Sequence, residues 1–478
     1  MTWKQRGLGI QGEGFLWPIY LFVVVYLGPE RWLHTDSAYT LFRILNHQNL
    51  FYDRFACELL VWPGQLLSYL GAPLPWVLQS LNLILPLMAW LAWCLAYKSP
   101  LRWLYFLVIF CGGSEAFFIG YSEIGLCTLA MITAIQCIVL DVKKLPLLLF
   151  FTIVAMWLSH PAGVLYLPIL LVFLWPKLRS MEFFYLGLSL LGLFFIKQQI
   201  APSNPYDSQL YQTLFHLLHF TQFLNLFSVN YIINAPWFFI PAATALACFI
   251  VGCMKPWRRW TSIYFFIFLI NTIAAVLIYS QGDAHIHMEK FFYPVAVTGM
   301  MSIAIYQWKE IQAMATPDSP QKTKKSTLTQ WISIPLWFMS FSMMLGIQEH
   351  LPTYRHRKQL LFELTTAQNA TKCIVLQPAP IASVSPNEKM VKMVDSLSQL
   401  GSLWGLSYET AIASTWLGLE NTRTTKIMTP EEFLQWSSIN QSITDSLFIG
   451  APFEQPQPIQ QLNRRYFRFP INQNYTNP

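Results

Sequence analysis

The chain has few charged residues. Asp, Glu, Lys and Arg make up 12% of its 478 residues, whereas 54% are hydrophobic. Soluble domains carry about 25% charged residues, so the composition excludes an ordinary soluble enzyme. No P-loop, GxSxG, HExxH or dinucleotide fingerprint stands in a plausible context. The eight cysteines include no CxxC pair and no zinc-type spacing, so they indicate neither a metal ribbon nor a disulfide scaffold.

Long apolar runs are present instead, among them 74–97, 145–159 and 182–199. A run of about 20 apolar residues matches a bilayer core of about 30 Å. The sequence therefore predicts an α-helical polytopic membrane protein with about 11 transmembrane helices in residues 1–347. Residues 348–478 carry short alternating apolar runs and predict a small C-terminal soluble α/β domain with a polar tail.

The basic clusters predict the orientation of these spans. They fall in gaps on one side of the predicted membrane, including the linker 309–330, and by the positive-inside rule that side is the cytoplasm. The net charge of +7 is thereby explained by topology, and no nucleic-acid partner is expected. The amino terminus is then cytoplasmic, while the first loop, 29–73, and the domain 348–478 are extracytoplasmic, with a bacterial inner membrane as the expected location. Residues 56–70, apolar but broken by Pro-Gly, predict a helix lying in the interface.

Asp36 stands in the first outer loop, a few residues beyond the first apolar run. A carboxylate held there is suited to act as a general base towards an acceptor hydroxyl. The alternative is structural, since Asp36 also fits the N-cap of a helix over residues 37–45. From the residues alone, the cap is favoured.

A second group has potential ligands at alternating positions: Asp283, His285, His287 and Glu289, followed by Lys290. Both an extended strand and a helix would align some of these side chains, so the segment permits a divalent-metal site. Hydrogen-bonded capping of the following span is the favoured interpretation.

A third group lies near the outer ends of the predicted spans: Glu115, Tyr121, Glu123 and His160. Ionisable groups beside apolar spans usually face a cavity or each other. His160 also fits a helix-ending turn, because Pro161 suits the first turn of the next helix. Both interpretations of His160 stay open.

These features together resemble the GT-C superfamily of membrane glycosyltransferases. The resemblance is architectural over 13–308, and it is carried at motif level by Asp36 and by the Glu289-Lys290 pair before an aromatic run and Pro294. Many family members have a second carboxylate where Ser37 follows Asp36 here.

The resemblance implies transfer of a sugar from a polyprenyl-phosphate-linked donor, taken from the membrane lipid, to an acceptor at the outer face. Asp36 would be the base. The implied substrate-binding residues are Arg43, Arg54, Glu115, Tyr121, Glu123, His160, His285, His287, Glu289 and Lys290. The alternative is a non-catalytic GT-C-like assembly subunit whose outer domain, 348–478, recruits protein partners. A transporter is disfavoured, because the charges cluster at one face and no two halves match.

Overall fold

The computed structural model describes most of the chain up to residue 200 and most of it from 333 to 469. The described residues are 14–48, 55–111, 117–142, 144–160, 163, 166–174, 181–200, scattered positions from 297 to 308, 333–368, 371–376, 388–429, 431–434, 447–450 and 457–469. They are mostly helical, as the sequence predicts.

Ten helices are described in the amino-terminal part. They are α1 Leu16–Tyr26, α2 Gly28–Trp32, α3 Thr35–Leu45, α4 Glu58–Tyr69, α5 Leu74–Leu95, α6 Leu107–Phe110, α7 Glu123–Val139, α8 Leu145–Ser159, α9 Leu167–Leu174 and α10 Met181–Ile200. Helices α5, α8 and α10 coincide with three apolar runs of the sequence. Both α5 and α8 carry a proline in their first turn, where its missing N–H costs no hydrogen bond.

Helix α5 is long and apolar enough to cross a membrane, and among the described residues it is the one helix that meets this test of length and composition. Helices α1, α7 and α8 are apolar but shorter. The helical class is thus shown, and the number of spans stays a prediction.

The first predicted loop is itself helical. It contains α2, α3 and α4, and α4 lies where the sequence predicts an interfacial helix. Helix α4 packs along α5, while its Trp62 and Tyr69 side chains are 61% and 80% exposed.

The carboxy-terminal part is a mixed α/β region, as its alternating pattern predicts. Its elements are α11 Ser333–Ala367, β1 Lys372–Leu376, α12 Glu388–Leu400, α13 Leu406–Trp416, β2 Thr424–Met428, β3 Leu447–Phe448 and β4 Gln457–Pro458. Strands β1 and β2 pair in parallel across the α12–α13 crossover, and β3 pairs antiparallel with β4. Helix α11 runs without a break through the boundary at 347/348 that the sequence places between the two domains.

The carboxy-terminal region packs directly on α3. Phe42 of α3 lies among three aromatic rings, with centroids at 5.0 Å from Tyr408, 4.4 Å from Phe448 and 4.9 Å from Phe467. All four side chains are buried. Aromatic pairs of this kind add about 0.5–1.5 kcal/mol each beyond the area they bury, so this contact joins the first loop and the carboxy-terminal region into one packed unit.

Candidate functional site

Asp36 lies in the first turn of α3, not at its N-cap. The helix begins at Thr35, and the N-cap position is taken by His34, whose backbone is extended. The structural alternative for Asp36 is therefore wrong in its detail. The Asp36 side chain is half-buried, and its charge is favoured there because the amino end of a helix carries partial positive charge.

Tyr121 and Glu123 lie near Asp36. Burial raises the pKa of the Tyr121 phenol well above its ordinary value, and the neighbouring Glu123 and Asp36 carboxylates raise it further. Thr40, one turn after Asp36 on α3, interacts with the same phenol. Three residues that the sequence names from two separate loops are thus brought into one neighbourhood.

A short hydrogen bond joins α3 to the residues just before α7. The Ser37 hydroxyl accepts from the Gly120 amide at 2.7 Å, which fastens the connection before α7 to the start of α3. Ser122 then caps α7, accepting from the Gly125 amide at 2.9 Å. A Cβ at Gly120 would lie 2.8 Å from the Asn82 amide oxygen and 3.1 Å from the Ser37 hydroxyl, so a larger residue would have to displace these side chains.

The carboxy-terminal region supplies a buried ion pair beside Asp36. Arg357 of α11 donates from Nη2 to both carboxylate oxygens of Glu409 on α13, at 2.7 and 2.9 Å. The Thr35 hydroxyl donates to Glu409 at 2.8 Å, and Arg357 also donates to the Ser402 carbonyl at 2.8 Å. Arg357 is 4% exposed and Glu409 is fully buried.

The carboxylates of Glu409 and Asp36 interact electrostatically. Burial raises the pKa of Glu409, whereas the Arg357 guanidinium and the Thr35 hydroxyl oppose that rise, and the Asp36 carboxylate adds to it. Asp36 therefore interacts with the Glu409 carboxylate of α13, and it shares the neighbourhood of Tyr121 with Glu123, the first residue of α7.

Aromatic side chains line the same helix. The Tyr39 ring meets Trp404 at 5.6 Å and Tyr408 at 5.2 Å, both edge-on. Arg43, one turn further along α3, lies 5.8 Å from the centre of the Tyr39 ring. Tyr39, Trp404 and Arg43 are all partly exposed, so a ligand beside α3 would meet aromatic faces and a cation.

His160 directly follows the last residue of α8. It ends α8 in an extended conformation, and its carbonyl accepts from the Gly163 amide at 2.9 Å, which is the helix-ending turn. The carbonyl of the preceding Ser159 accepts from the Cys57 thiol, so His160 lies beside the amino end of α4. The remaining sequence-predicted site residues lie outside the described residues: Arg54, Glu115, Asp283, His285, His287, Glu289 and Lys290.

No divalent-metal site is seen in the described part of the chain, where no three His, Cys, Asp or Glu side chains gather as a ligand set. The segment for which the sequence permits a metal falls outside that part.

The sequence does not predict a site role for Arg357, Glu409 or Trp404, which the structure places beside α3. Glu409 carried a signal, because it is the one acidic residue in the apolar and small-residue helix α13. A lone charge in such a helix indicates a buried partner. Arg357 is one of several basic residues in its helix, and nothing in the pattern distinguishes it.

Compared with protein-family models, with curated proteins and with solved structures, the chain has no significant match.

Proposed function

We propose that the chain is a membrane glycosyltransferase that moves a sugar from a polyprenyl-phosphate-linked donor to an acceptor at the outer membrane face. The observation that carries the proposal is the grouping of Asp36, Tyr121 and Glu123 beside α3, under the carboxy-terminal region. The pKa of Tyr121 is raised there, and an ionisable group with a perturbed pKa beside other ionisable groups is typical of catalytic sites.

In this proposal Asp36 is the base that takes the proton of the acceptor hydroxyl as the sugar is transferred. Tyr121 stays protonated, because burial and the nearby carboxylates oppose its ionisation, so its hydroxyl is suited to donate a hydrogen bond to the substrate. Tyr39 and Trp404 offer partly exposed aromatic rings on which a sugar can stack. Arg43 is suited to the donor phosphate.

The membrane part of the proposal, with about 11 spans, is supported by side chains that face outward from the apolar helices. Phe22 of α1, Leu95 of α5 and Phe195 of α10 are 67%, 72% and 62% exposed. Exposed apolar side chains on several helices are expected where lipid surrounds the protein.

The test is the Asp36→Asn variant of the full chain, assayed for sugar transfer in membranes that contain a polyprenyl-phosphate-linked donor. We expect transfer to fall by at least about 10²-fold, since general-base catalysis contributes about that much or more, while the protein stays folded. Asp395→Asn is the matched control, because Asp395 is an exposed carboxylate on α12. Full activity in Asp36→Asn would remove Asp36 from the mechanism.

A chain that folds and binds donor but transfers no sugar to any acceptor tested would favour the assembly subunit. In that case we expect pull-down of protein partners to depend on residues 348–478.

A further inference from the structure

Arg31 is a buried cation with very few partners. Its side chain is 3% exposed, and its Nε and Nη1 atoms have no hydrogen-bond partner among the residues that the structure describes. These two nitrogens carry three of the five guanidinium N–H groups. The Nη2 atom makes one long contact, 3.5 Å to the Gly120 carbonyl.

The nearest carboxylate in sequence does not neutralise this charge. Glu30 accepts instead from Lys358 at 2.7 Å and lies 3.7 Å from Arg355. The Phe117 ring covers one face of the Arg31 guanidinium at 4.6 Å. The N–H groups of a guanidinium lie in its plane, so an anion would bind at the edge of the Arg31 guanidinium and not on the face that the Phe117 ring covers.

Burial costs a charged group several kcal/mol unless an opposite charge compensates it, and buried charges in proteins are usually paired. Burial lowers the pKa of Arg31 to about 10, so the side chain is still a cation at neutral pH. The position of Arg31 near exposed apolar side chains indicates which kind of anion it binds. Arg31 follows α1 directly, and the outer turns of α1 expose Phe22, Val25 and Tyr26.

We infer that Arg31 binds the phosphate group of an anionic ligand that approaches between α1 and the connection before α7. A guanidinium matches a phosphate in both charge and hydrogen-bond geometry. The exposed apolar side chains of α1 suit a phosphate carried on a lipid tail, while a free phosphate offers the same headgroup chemistry. The inference rests on the proposed function only where the phosphate belongs to the sugar donor.

The experiment measures ligand binding by the full chain in detergent, through the shift of its apparent Tm and by titration. Three probes are compared: inorganic phosphate, a polyprenyl monophosphate and the matching polyprenol. We expect stabilisation by a phosphate-bearing probe and a Kd at least about tenfold weaker in Arg31→Gln. A shift with the lipid phosphate alone assigns a lipid ligand, and a shift with both phosphates assigns the free group.

Arg102→Gln is the matched control, because the Arg102 guanidinium also lies over an aromatic ring, 4.7 Å from that of Trp93. It should keep the shift. Without ligand, Arg31→Met should unfold at the same temperature as the wild type or a higher one, since it removes an uncompensated buried charge. The inference would be overturned if the polyprenol stabilised the protein equally or if neither phosphate shifted the Tm. It would also be overturned if Arg31→Gln kept the shift or if ligand-free Arg31→Met had a lower Tm than the wild type. Because binding is measured, the outcome is independent of whether Asp36→Asn loses sugar transfer.

Discussion

Arg357 and Glu409 form an ion pair in which Nη2 of Arg357 donates to both carboxylate oxygens, at 2.7 and 2.9 Å. The hydroxyl of Thr35, the first residue of α3, donates to the same carboxylate. The residue after Thr35 is Asp36. The pair thus fixes where the first turn of α3 lies relative to α11 and α13, and through that turn it positions the candidate base.

We expect that removing either charged side chain of this pair alone destabilises the folded protein. Arg357→Met leaves Glu409 buried and unpaired, and Glu409→Leu does the same to Arg357, so each should lower the free energy of unfolding by about 3–5 kcal/mol. The double variant should lose less than the sum, because neither charge is then left without its partner. Thermal unfolding of the four proteins measures the coupling. Additive losses would mean that the two side chains act independently.

We expect the Tyr121 phenol to make the stability of the wild type depend on pH in the alkaline range. Its folded pKa is raised above the unfolded value of 10.0, so the folded state keeps a proton that the unfolded state loses. Stability should therefore fall as pH rises above about 10, and Tyr121→Phe should remove that contribution. The measurement is the Tm of both proteins from pH 8 to 11. Parallel curves would show that the phenol is not protected in the folded protein.

Trp404 and Trp416 allow a matched test of whether an aromatic ring beside α3 binds a sugar. Each meets an aromatic ring of the first loop edge-on, Tyr39 at 5.6 Å and Trp32 at 4.9 Å. In the proposal Trp404 stacks on a sugar, so Trp404→Ala should raise KM about fivefold to tenfold, which corresponds to about 1–1.4 kcal/mol of stacking. Trp416→Ala should affect stability and leave KM near the wild-type value. An equal rise of KM in both variants would indicate a general loss of packing.

The packing of α13 on α3 also predicts topology. Two segments that contact each other lie on the same side of a membrane, so the carboxy-terminal region must share the side of the first loop. The positive-inside rule predicts that this side is outer. A reporter that is active only outside the cytoplasm, fused after residue 478, should be active in bacterial cells. Activity of a cytoplasm-specific reporter at that position would reverse the orientation for both segments.

Much of the local structure follows from the sequence. The amphipathic pattern of Glu388–Leu400 predicts α12, and the apolar run after Cys373 predicts β1, because hydrophobic periodicity is set by nearby residues. The apolar stretch at 56–70 likewise predicts α4. Of the candidate site, the sequence predicts Asp36, Tyr121 and Glu123, because these ionisable residues stand beside apolar runs.

What the sequence could not supply is the pairing of distant residues. Arg357 and Glu409 are 52 positions apart, and Thr35 lies a further 322 positions from Arg357. Any of several basic residues on α11 satisfies the same local pattern, and only the docking of α11 and α13 on α3 selects one. By itself the sequence determined a mainly helical chain with an apolar amino-terminal part, a mixed α/β end and a charged first loop. Tertiary structure decided that the carboxy-terminal region packs on the first loop and that Arg31 is buried without an ion pair to any described carboxylate. Burial and charge compensation depend on contacts between segments, and no local pattern encodes those contacts.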